Sequence, residues 1–202
     1  MLNILKDDYL DLRGKLDKSL PLIDSLVESN SESIKRSKAT LANNFKKSSM
    51  EEPINFKQLI DSILHSLSIA EQYKDVEVLM SVENKKAFYN NVTIVQSIIQ
   101  NLLQNALRYR KPNQKNTISI SIIDTKRGID VIIKDTGIGI NRNLKQQLFK
   151  DILPSSNQKD SHGFGLYGVA QYVKKLNGTI AVKSTLQVGS IFTVNLPTLK
   201  RG

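Results

Sequence analysis

Two isoleucine-rich runs, residues 118–122 and 129–133, restrict the fold of this chain more than any other feature. The first run alternates isoleucine with serine and the second is almost wholly apolar, and both patterns are typical of β-strands. Residues 126–128, with the sequence Lys-Arg-Gly, supply a turn between the two runs. The chain is therefore predicted to contain a β-hairpin near this point.

Helices and further strands surround the hairpin. Asn55 is a plausible N-cap for an amphipathic helix, residues 92–110 form a strongly apolar helix, and residues 165–176 form a helix that Asn177 and Gly178 close. Short strands are predicted at residues 76–82, 87–89, 179–184 and 190–196, and a short helix at residues 144–149. This order predicts an α/β fold, a two-layer α/β sandwich in which helices cover one face of a mixed sheet.

The N-terminal part of the chain has a heptad-like pattern instead. Apolar residues step by three and four through residues 1–30 with a polar lapse at Ser19, and residues 32–48 carry a weaker apolar stripe. Two copies of such an α-helical hairpin can bury these stripes in a four-helix bundle, which predicts a homodimer; packing of the hairpin on the following domain is the alternative. The predicted boundaries are a helical hairpin at 1–49, a linker at 50–53 and the α/β domain at 54–202.

The composition excludes several classes of protein. The absence of Cys excludes a disulfide framework and a thiolate metal site, and it fits a reducing compartment, so we expect the cytoplasm. No apolar run approaches the roughly 20 residues of a membrane-spanning helix, and acids interrupt the N-terminus where a signal peptide is apolar. The net charge of +10 comes from scattered bases mixed with acids. A solvated basic surface is therefore expected, and no nucleic-acid partner.

The first of four candidate binding segments lies in the helix at residues 92–110. Asn101, Asn105 and Arg108 stand about one turn apart and share a face of this apolar helix. Buried amides need hydrogen-bond partners, and a bound ligand is one kind of partner. A simple polar stripe is the alternative.

The second segment is Asp-Thr-Gly-Ile-Gly-Ile at residues 135–140, directly after the predicted strand at 129–133. A carboxylate at a strand end can accept a hydrogen bond from an exocyclic amine. The glycines allow the backbone to approach a ring closely or to adopt positive φ. A turn without a ligand is the alternative.

The third and fourth segments follow one another along the chain. Phe149 precedes a polar stretch at residues 150–162, which is predicted to be a lid over a ligand or else a disordered loop. Residues 163–168, Gly-Phe-Gly-Leu-Tyr-Gly, open a helix, and the N–H groups and dipole of a helix start suit phosphate oxygens. No strand leads directly into this motif, so it is not a Rossmann fingerprint.

In this order the four segments resemble the N box, first glycine box, F box and second glycine box of the histidine-kinase branch of the GHKL ATPases. The resemblance covers about residues 54–198. It implies a Bergerat ATP-binding fold that binds ATP and Mg²⁺ in the catalytic core of a sensor histidine kinase. The implied partners are a second copy of the chain and the receiver domain of a response regulator in a two-component system.

The resemblance also implies roles for individual residues. Asn105 coordinates Mg²⁺, Asn101 supports the phosphate end of the nucleotide, and Arg108 faces phosphate. Tyr109 lines the base or ribose, and Asp135 holds the adenine amine. The glycine boxes shape the adenine pocket and cradle the phosphates, and the lid adds an aromatic residue, a lysine near the γ-phosphate and a histidine. These further residues are Gly137, Gly139, Phe149, Lys159, His162, Gly163, Gly165 and Leu166.

One position distinguishes kinases from hydrolases in this superfamily. The hydrolytic members carry a Glu one helical turn before the metal-binding Asn, where it can activate water. This chain has Asn101 there, and an amide cannot act as a base. Transfer to a neutral imidazole needs no such base, because the imidazole is already nucleophilic. The sequence therefore predicts a protein-histidine kinase and argues against an ATP hydrolase.

The acceptor histidine is not where the family places it. The chain has only two histidines: His65, expected on the surface beside the apolar face of its helix, and His162, just before the second glycine box. Family acceptors lie on the first hairpin helix before an acid, Leu and Arg, and here Leu10 precedes residues 11–13 of that pattern. Three explanations stay open: an acceptor in another chain or segment, a degenerate kinase that binds ATP and signals through its dimer, or a substitution at Leu10.

Overall fold

The structure, a computed structural model, describes residues 51–69, 73–145, 148–149 and 164–199. The predicted helical hairpin at 1–49 lies outside the described residues. The same is true of three predicted site residues of the lid and second glycine box, Lys159, His162 and Gly163.

Apart from a short strand at Glu52–Pro53, which falls in the predicted linker at residues 50–53, the helices and strands of the described part follow the predicted order. The helices are α1 (Phe56–Ser66), α2 (Val92–Arg108), α3 (Arg142–Lys145) and α4 (Phe164–Lys175). The strands are β1 (Glu52–Pro53), β2 (Val76–Glu83), β3 (Tyr89–Asn90), β4 (Asn116–Asp124), β5 (Gly128–Asp135), β6 (Thr179–Thr185) and β7 (Gly189–Pro197). The predicted bounds of α3, residues 144–149, are wrong, because the helix begins two residues earlier.

Five strands form one mixed sheet in the order β2-β4-β5-β7-β6. β2 runs parallel to β4, with Val78 opposite Ile118, and the other neighbours are antiparallel. The parallel pair needs a crossover connection, and α2 lies within it. β1 and β3 pair separately as a short antiparallel sheet, in which Pro53 is opposite Tyr89.

One face of the sheet is buried beneath the helices, as predicted. Along β4, β5 and β7, side chains on this face alternate with half-exposed neighbours, which is the period of a strand that covers a core. The buried members are Ile118, Ile120, Ile122, Ile129, Val131, Ile133, Phe192, Val194 and Leu196. Each such side chain stabilises the fold by about 1.5–3 kcal/mol relative to an exposed one. α2 and α4 pack against each other, α2 contacts β5, and α4 contacts β6, so these two helices lie on the sheet.

Local capping fixes where the helices begin and end. The Asn55 side chain accepts a hydrogen bond from the backbone N of Gln58 at 3.2 Å, which confirms the predicted N-cap of α1. α4 ends with Asn177 at φ +55°, and Gly178 N donates to Val173 O at 2.9 Å, which is a Schellman motif. Within the described ranges, no helix is long and apolar enough to span a membrane.

Candidate functional site: the C-terminal half of helix α2 and the loop after strand β5

Helix α2 places the amides of Asn101 and Asn105 on the same helix as a buried apolar face. Asn91 caps the helix by accepting a hydrogen bond from Ile94 N at 2.9 Å, so its starting point is fixed. The Asn101 side chain donates to Ser97 O at 2.7 Å. Nδ2 of Asn105 is buried and has no hydrogen-bond partner within the described part of the protein. An unpartnered buried amide is costly, which makes Asn105 a position where a ligand would be accommodated.

Gly165, in the first turn of α4, lies beside both amides. A Cβ built on Gly165 would stand 3.5 Å from Oδ1 of Asn101 and 3.6 Å from Nδ2 of Asn105. These are ordinary contact distances, so a methyl group would fit there and would occupy the space directly next to the amides. The fold thus brings Gly165 of the second glycine box to the polar face of α2.

Asp135 ends strand β5 and is buried, with 8% of its surface exposed. Its Oδ1 accepts hydrogen bonds from Gly137 N at 2.9 Å and from Ser190 N at 3.3 Å. Desolvation by burial raises the pKa of Asp135 above its ordinary value, and the hydrogen bonds from Gly137 and Ser190 oppose this rise. The carboxylate is therefore held in a fixed orientation in a site that is largely removed from water.

The loop after Asp135 docks on the C-terminal end of α2. Tyr109, the C-cap of α2, donates its N–H to Asn105 O and accepts a hydrogen bond at its own carbonyl from Ile138 N at 2.9 Å. A Cβ on Gly137 would collide with that carbonyl, so only glycine fits at this position. The loop that carries Asp135 is consequently joined to α2 at Tyr109, one helical turn after Asn105.

The β6–β7 turn supports the loop from its other side. Gly139 has φ +68°, and a Cβ there would collide with the carbonyl of Thr185. Gln187 N donates to Ile138 O at 2.7 Å. Both glycines of the first glycine box are thus required by close approaches to backbone carbonyls of the protein itself, which the sequence did not predict; the positive φ of Gly139 agrees with the prediction.

Two serines that the sequence analysis did not single out lie beside this loop: Ser190 contacts Asp135, and Ser184 contacts Ser190. The Ser184 hydroxyl accepts from Ile140 N at 2.8 Å, donates to Gly189 O at 2.9 Å and lies 3.1 Å from the Ser190 hydroxyl. Both serines are buried, at 9% and 5% exposure. Their only sequence signal is a small polar residue in an otherwise apolar strand position, which is too common to identify a site.

The remaining predicted residues are less tightly connected. Arg108 is exposed at the end of α2, Tyr109 is 45% exposed, and Phe149 and Leu166 are half-buried. His65 is exposed, which confirms its predicted place on the surface. Among the described residues, no group of three or more His, Cys, Asp or Glu side chains could hold a metal ion. A cation at Asn105 would therefore need oxygen ligands from a bound molecule and from water.

Comparison with known proteins agrees with this geometry. The family model of the histidine kinase-, DNA gyrase B-, and HSP90-like ATPases matches residues 90–200. Histidine protein kinase SaeS of Staphylococcus aureus is 32% identical over 151 residues, which is 72% of this chain and 43% of SaeS. The chain thus spans less than half the length of the curated relatives that it matches.

Solved structures of low sequence identity share the fold. The mycobacterial sensor histidine kinase MprB is 21% identical with a TM-score of 0.61, covering 73% of this chain and 98% of that one. Acinetobacter baumannii histidine kinase AdeS is 20% identical with a TM-score of 0.64, covering 84% and 77%. Full-length ShkA in complex with AMPPNP is 18% identical with a TM-score of 0.64, covering 75% and 32%.

The described part therefore has the fold of the ATP-binding catalytic domains of sensor histidine kinases, as predicted. The chain belongs to the family of histidine kinase-, DNA gyrase B-, and HSP90-like ATPases.

Proposed function

We propose that this chain binds ATP and Mg²⁺ between the C-terminal half of α2, the loop at residues 135–140 and the start of α4. One observation carries the proposal: the loop that begins at the buried carboxylate of Asp135 is bonded to the end of the helix that carries Asn105, whose buried Nδ2 has no partner among the described residues. Asn105 and Tyr109 are four residues apart in sequence, about 6 Å along a helix axis. A single nucleotide can therefore contact both groups.

Asp135 is the proposed acceptor for the exocyclic amine of adenine. The hydrogen bonds from the backbone of Gly137 and Ser190 orient the carboxylate. In a site sheltered from water, a hydrogen bond to an ionised acceptor is worth more than one at the surface. Gly137 and Gly139 let the backbone pass close to a planar base.

Asn105 is the proposed ligand of Mg²⁺. Rotation of an amide exchanges its oxygen and nitrogen, so the unpartnered buried position can present an acceptor to a cation. Mg²⁺ usually takes few ligands from the protein and the rest from phosphates and water, which fits a single amide beside the space at Gly165. When bound, Mg²⁺ neutralises charge on the phosphates and aligns them. The first turn of α4 adds N–H groups that suit phosphate oxygens.

The reaction proposed is transfer of the γ-phosphoryl group to a histidine. Helix α2 contains no Asp or Glu between Val92 and Arg108, and Asn101, already a donor to Ser97 O, cannot serve as a base. Attack by water should therefore be slow. We propose the catalytic core of a sensor histidine kinase in a two-component system, with the receiver domain of a response regulator as partner and the cytoplasm as location.

A second function is favoured by one observation. Leu10 stands where the family carries its acceptor histidine. A catalytically degenerate module could bind ATP and signal through dimer contacts without transferring phosphate. In both cases we propose a homodimer formed through residues 1–49, which sedimentation of the whole chain against residues 54–202 would test.

Incubation with γ-labelled ATP and Mg²⁺, together with a supplied hairpin that carries an acceptor histidine, separates these functions. We expect acid-labile label on the supplied hairpin and none within residues 1–48 of this chain. Bound nucleotide without any label would indicate the regulatory module, and steady phosphate release would indicate a hydrolase. Acid-labile label within residues 1–48 would refute the assignment of the acceptor to another chain. An Asn105→Asp variant is the control for activity from a contaminating kinase.

A further inference from the structure

Arg110, two residues after the end of α2, links that helix to the chain just before β2. Its Nε lies 3.1 Å from Oδ2 of Asp75, and its Nη1 donates to Leu107 O at 2.9 Å. The guanidinium carbon stands 4.8 Å from the ring centroid of Tyr73. The Asp75 and Arg110 side chains are 37% and 33% exposed, so their charges alone contribute little. The contribution of Arg110 comes from the planar geometry of its guanidinium group, which contacts Asp75, the Leu107 carbonyl and the Tyr73 ring at the same time.

Asn116, the first residue of β4, holds the loop between α2 and β4 in place through several hydrogen bonds. It is 2% exposed, and its backbone N donates to Asp75 O at 2.8 Å. Its side-chain amide donates to Lys111 O at 2.9 Å and Gln114 O at 2.8 Å, and accepts from Lys111 N at 2.9 Å. Asp75 is therefore held by Arg110 at one end of the loop and by Asn116 at the other.

The neighbours of these two residues hold the loop that carries the first glycine box. Tyr109, next to Arg110, accepts a hydrogen bond from Ile138 N at 2.9 Å. Thr117, next to Asn116, accepts from Thr136 N at 3.1 Å and donates its own N–H to the Thr136 hydroxyl at 2.9 Å. The residues on both sides of Gly137 are thus bonded to residues adjacent to the Asp75 cluster.

We propose that Asp75, Arg110 and Asn116 form a buttress that positions the residue 135–140 loop for adenine recognition. Arg110 and Asp75 are positioning residues, which act through the backbone of their neighbours. A loop that is ordered before binding loses less conformational freedom when the base enters, so the buttress raises affinity by preorganisation. The effect on nucleotide affinity rests on the proposed function, whereas the effect on the loop itself does not.

Amide hydrogen exchange in the nucleotide-free protein tests the buttress directly. In Arg110→Ala, we expect the Ile138 amide to exchange about tenfold faster relative to Val131 in the core of β5, because the acceptor at Tyr109 loses its support. Arg110→Lys keeps the positive charge but not the planar guanidinium group, and we expect its Ile138 amide to exchange as fast as in Arg110→Ala. Lys115→Ala, which removes an exposed cation from the same loop, should leave Ile138 unchanged. Equal protection of Ile138 in wild type and Arg110→Ala would overturn the proposal.

Calorimetry with ADP and GDP on the same variants supplies the functional readout. We expect Arg110→Ala to bind ADP about tenfold more weakly and to discriminate less between adenine and guanine. A purely structural role would lower the melting temperature while leaving the affinity and discrimination of the folded protein intact, and this result would overturn the positioning role. If Arg110→Ala does not fold, Asp75→Ala removes the same ion pair from the β2 side. Failure of the wild type to bind ADP would refute the proposed function, and the exchange experiment would still decide the buttress.

Discussion

The carbonyl of Tyr109 occupies the space in which a side chain on Gly137 would stand. This contact joins the last turn of α2 to the loop after β5. Ile138 N also donates a hydrogen bond to the Tyr109 carbonyl oxygen, at 2.9 Å. The two groups on which the proposed nucleotide site depends, Asp135 and Asn105, are therefore placed by one rigid junction. A change at this junction should therefore weaken both adenine recognition at Asp135 and Mg²⁺ binding at Asn105.

Gly137→Ala tests the junction. The added methyl group collides with the Tyr109 carbonyl, so the loop or the helix end must move. We expect a loss of about 1–3 kcal/mol in the free energy of unfolding, typical of overpacking, together with a loss of adenine-nucleotide binding. Urea denaturation and calorimetry measure the two effects. Wild-type stability in this variant would contradict the close approach.

Gly165→Ala should separate stability from binding. A Cβ at Gly165 meets only ordinary contacts, and alanine is the better helix former, so the variant should be as stable as wild type or up to about 1 kcal/mol more stable. The methyl group fills the space beside Asn101 and Asn105, so affinity for the Mg²⁺-nucleotide should fall. Thermal unfolding measures the stability of the variant, and calorimetry measures its affinity for the Mg²⁺-nucleotide. Unchanged affinity would remove Gly165 from the site.

Asp135→Asn should alter the pH dependence of stability. Burial raises the pKa of Asp135 above its ordinary value of about 3.9, so the folded state binds this proton more tightly than the unfolded chain does. The cost of the buried charge is fully present above the raised pKa and disappears as the pH falls below about 3.9. We expect nucleotide-free Asp135→Asn to be at least as stable as wild type at pH 7, with its relative advantage shrinking towards pH 4.

The same variant should bind adenine nucleotides at least about tenfold more weakly, because the charge-assisted hydrogen bond is lost. Asp130→Asn, a half-exposed change near the opposite end of β5, is the matched control and should keep wild-type affinity. Stability profiles by denaturation at several pH values and affinities by calorimetry would show both effects. A stability difference between Asp135→Asn and wild type that does not change with pH would contradict the burial argument.

Asn105→Asp should abolish nucleotide binding. The change replaces the buried Nδ2 of this half-buried residue by a carboxylate oxygen that faces phosphate oxygens in the proposed complex, and like charges at short range repel. Gln104→Glu makes the same charge change at the exposed neighbouring residue and should bind normally. Equal affinities of Asn105→Asp and Gln104→Glu would argue that the nucleotide does not reach Asn105.

Local patterns were sufficient to predict much of this molecule. The amides at Asn101 and Asn105 follow the helical period, and the hairpin of β4 and β5 follows the strand period, so neither needed tertiary information. The glycine boxes, which lie next to these elements, pointed to a nucleotide-binding site. The wrong bounds of α3 arose where apolar periodicity is weak and the sequence is polar.

The supporting contacts could not be predicted, because they join distant parts of the chain. Ser190 and Asp135 are separated by 55 residues, and Arg110 and Asp75 by 35. Periodicity identifies which face of an element is buried, but it does not specify which polar groups meet across elements. The parallel pairing of β2 with β4 likewise joins strands that α2 separates along the chain.

Calorimetric titration of the whole chain with AMPPNP, with and without Mg²⁺, tests the central claim most directly. The account predicts one site per chain, tighter binding in the presence of Mg²⁺, and loss of that binding in Asp135→Ala. Absence of binding, indifference to Mg²⁺, or unchanged affinity in Asp135→Ala would contradict a single pocket in which Asp135 holds adenine and Asn105 holds the cation.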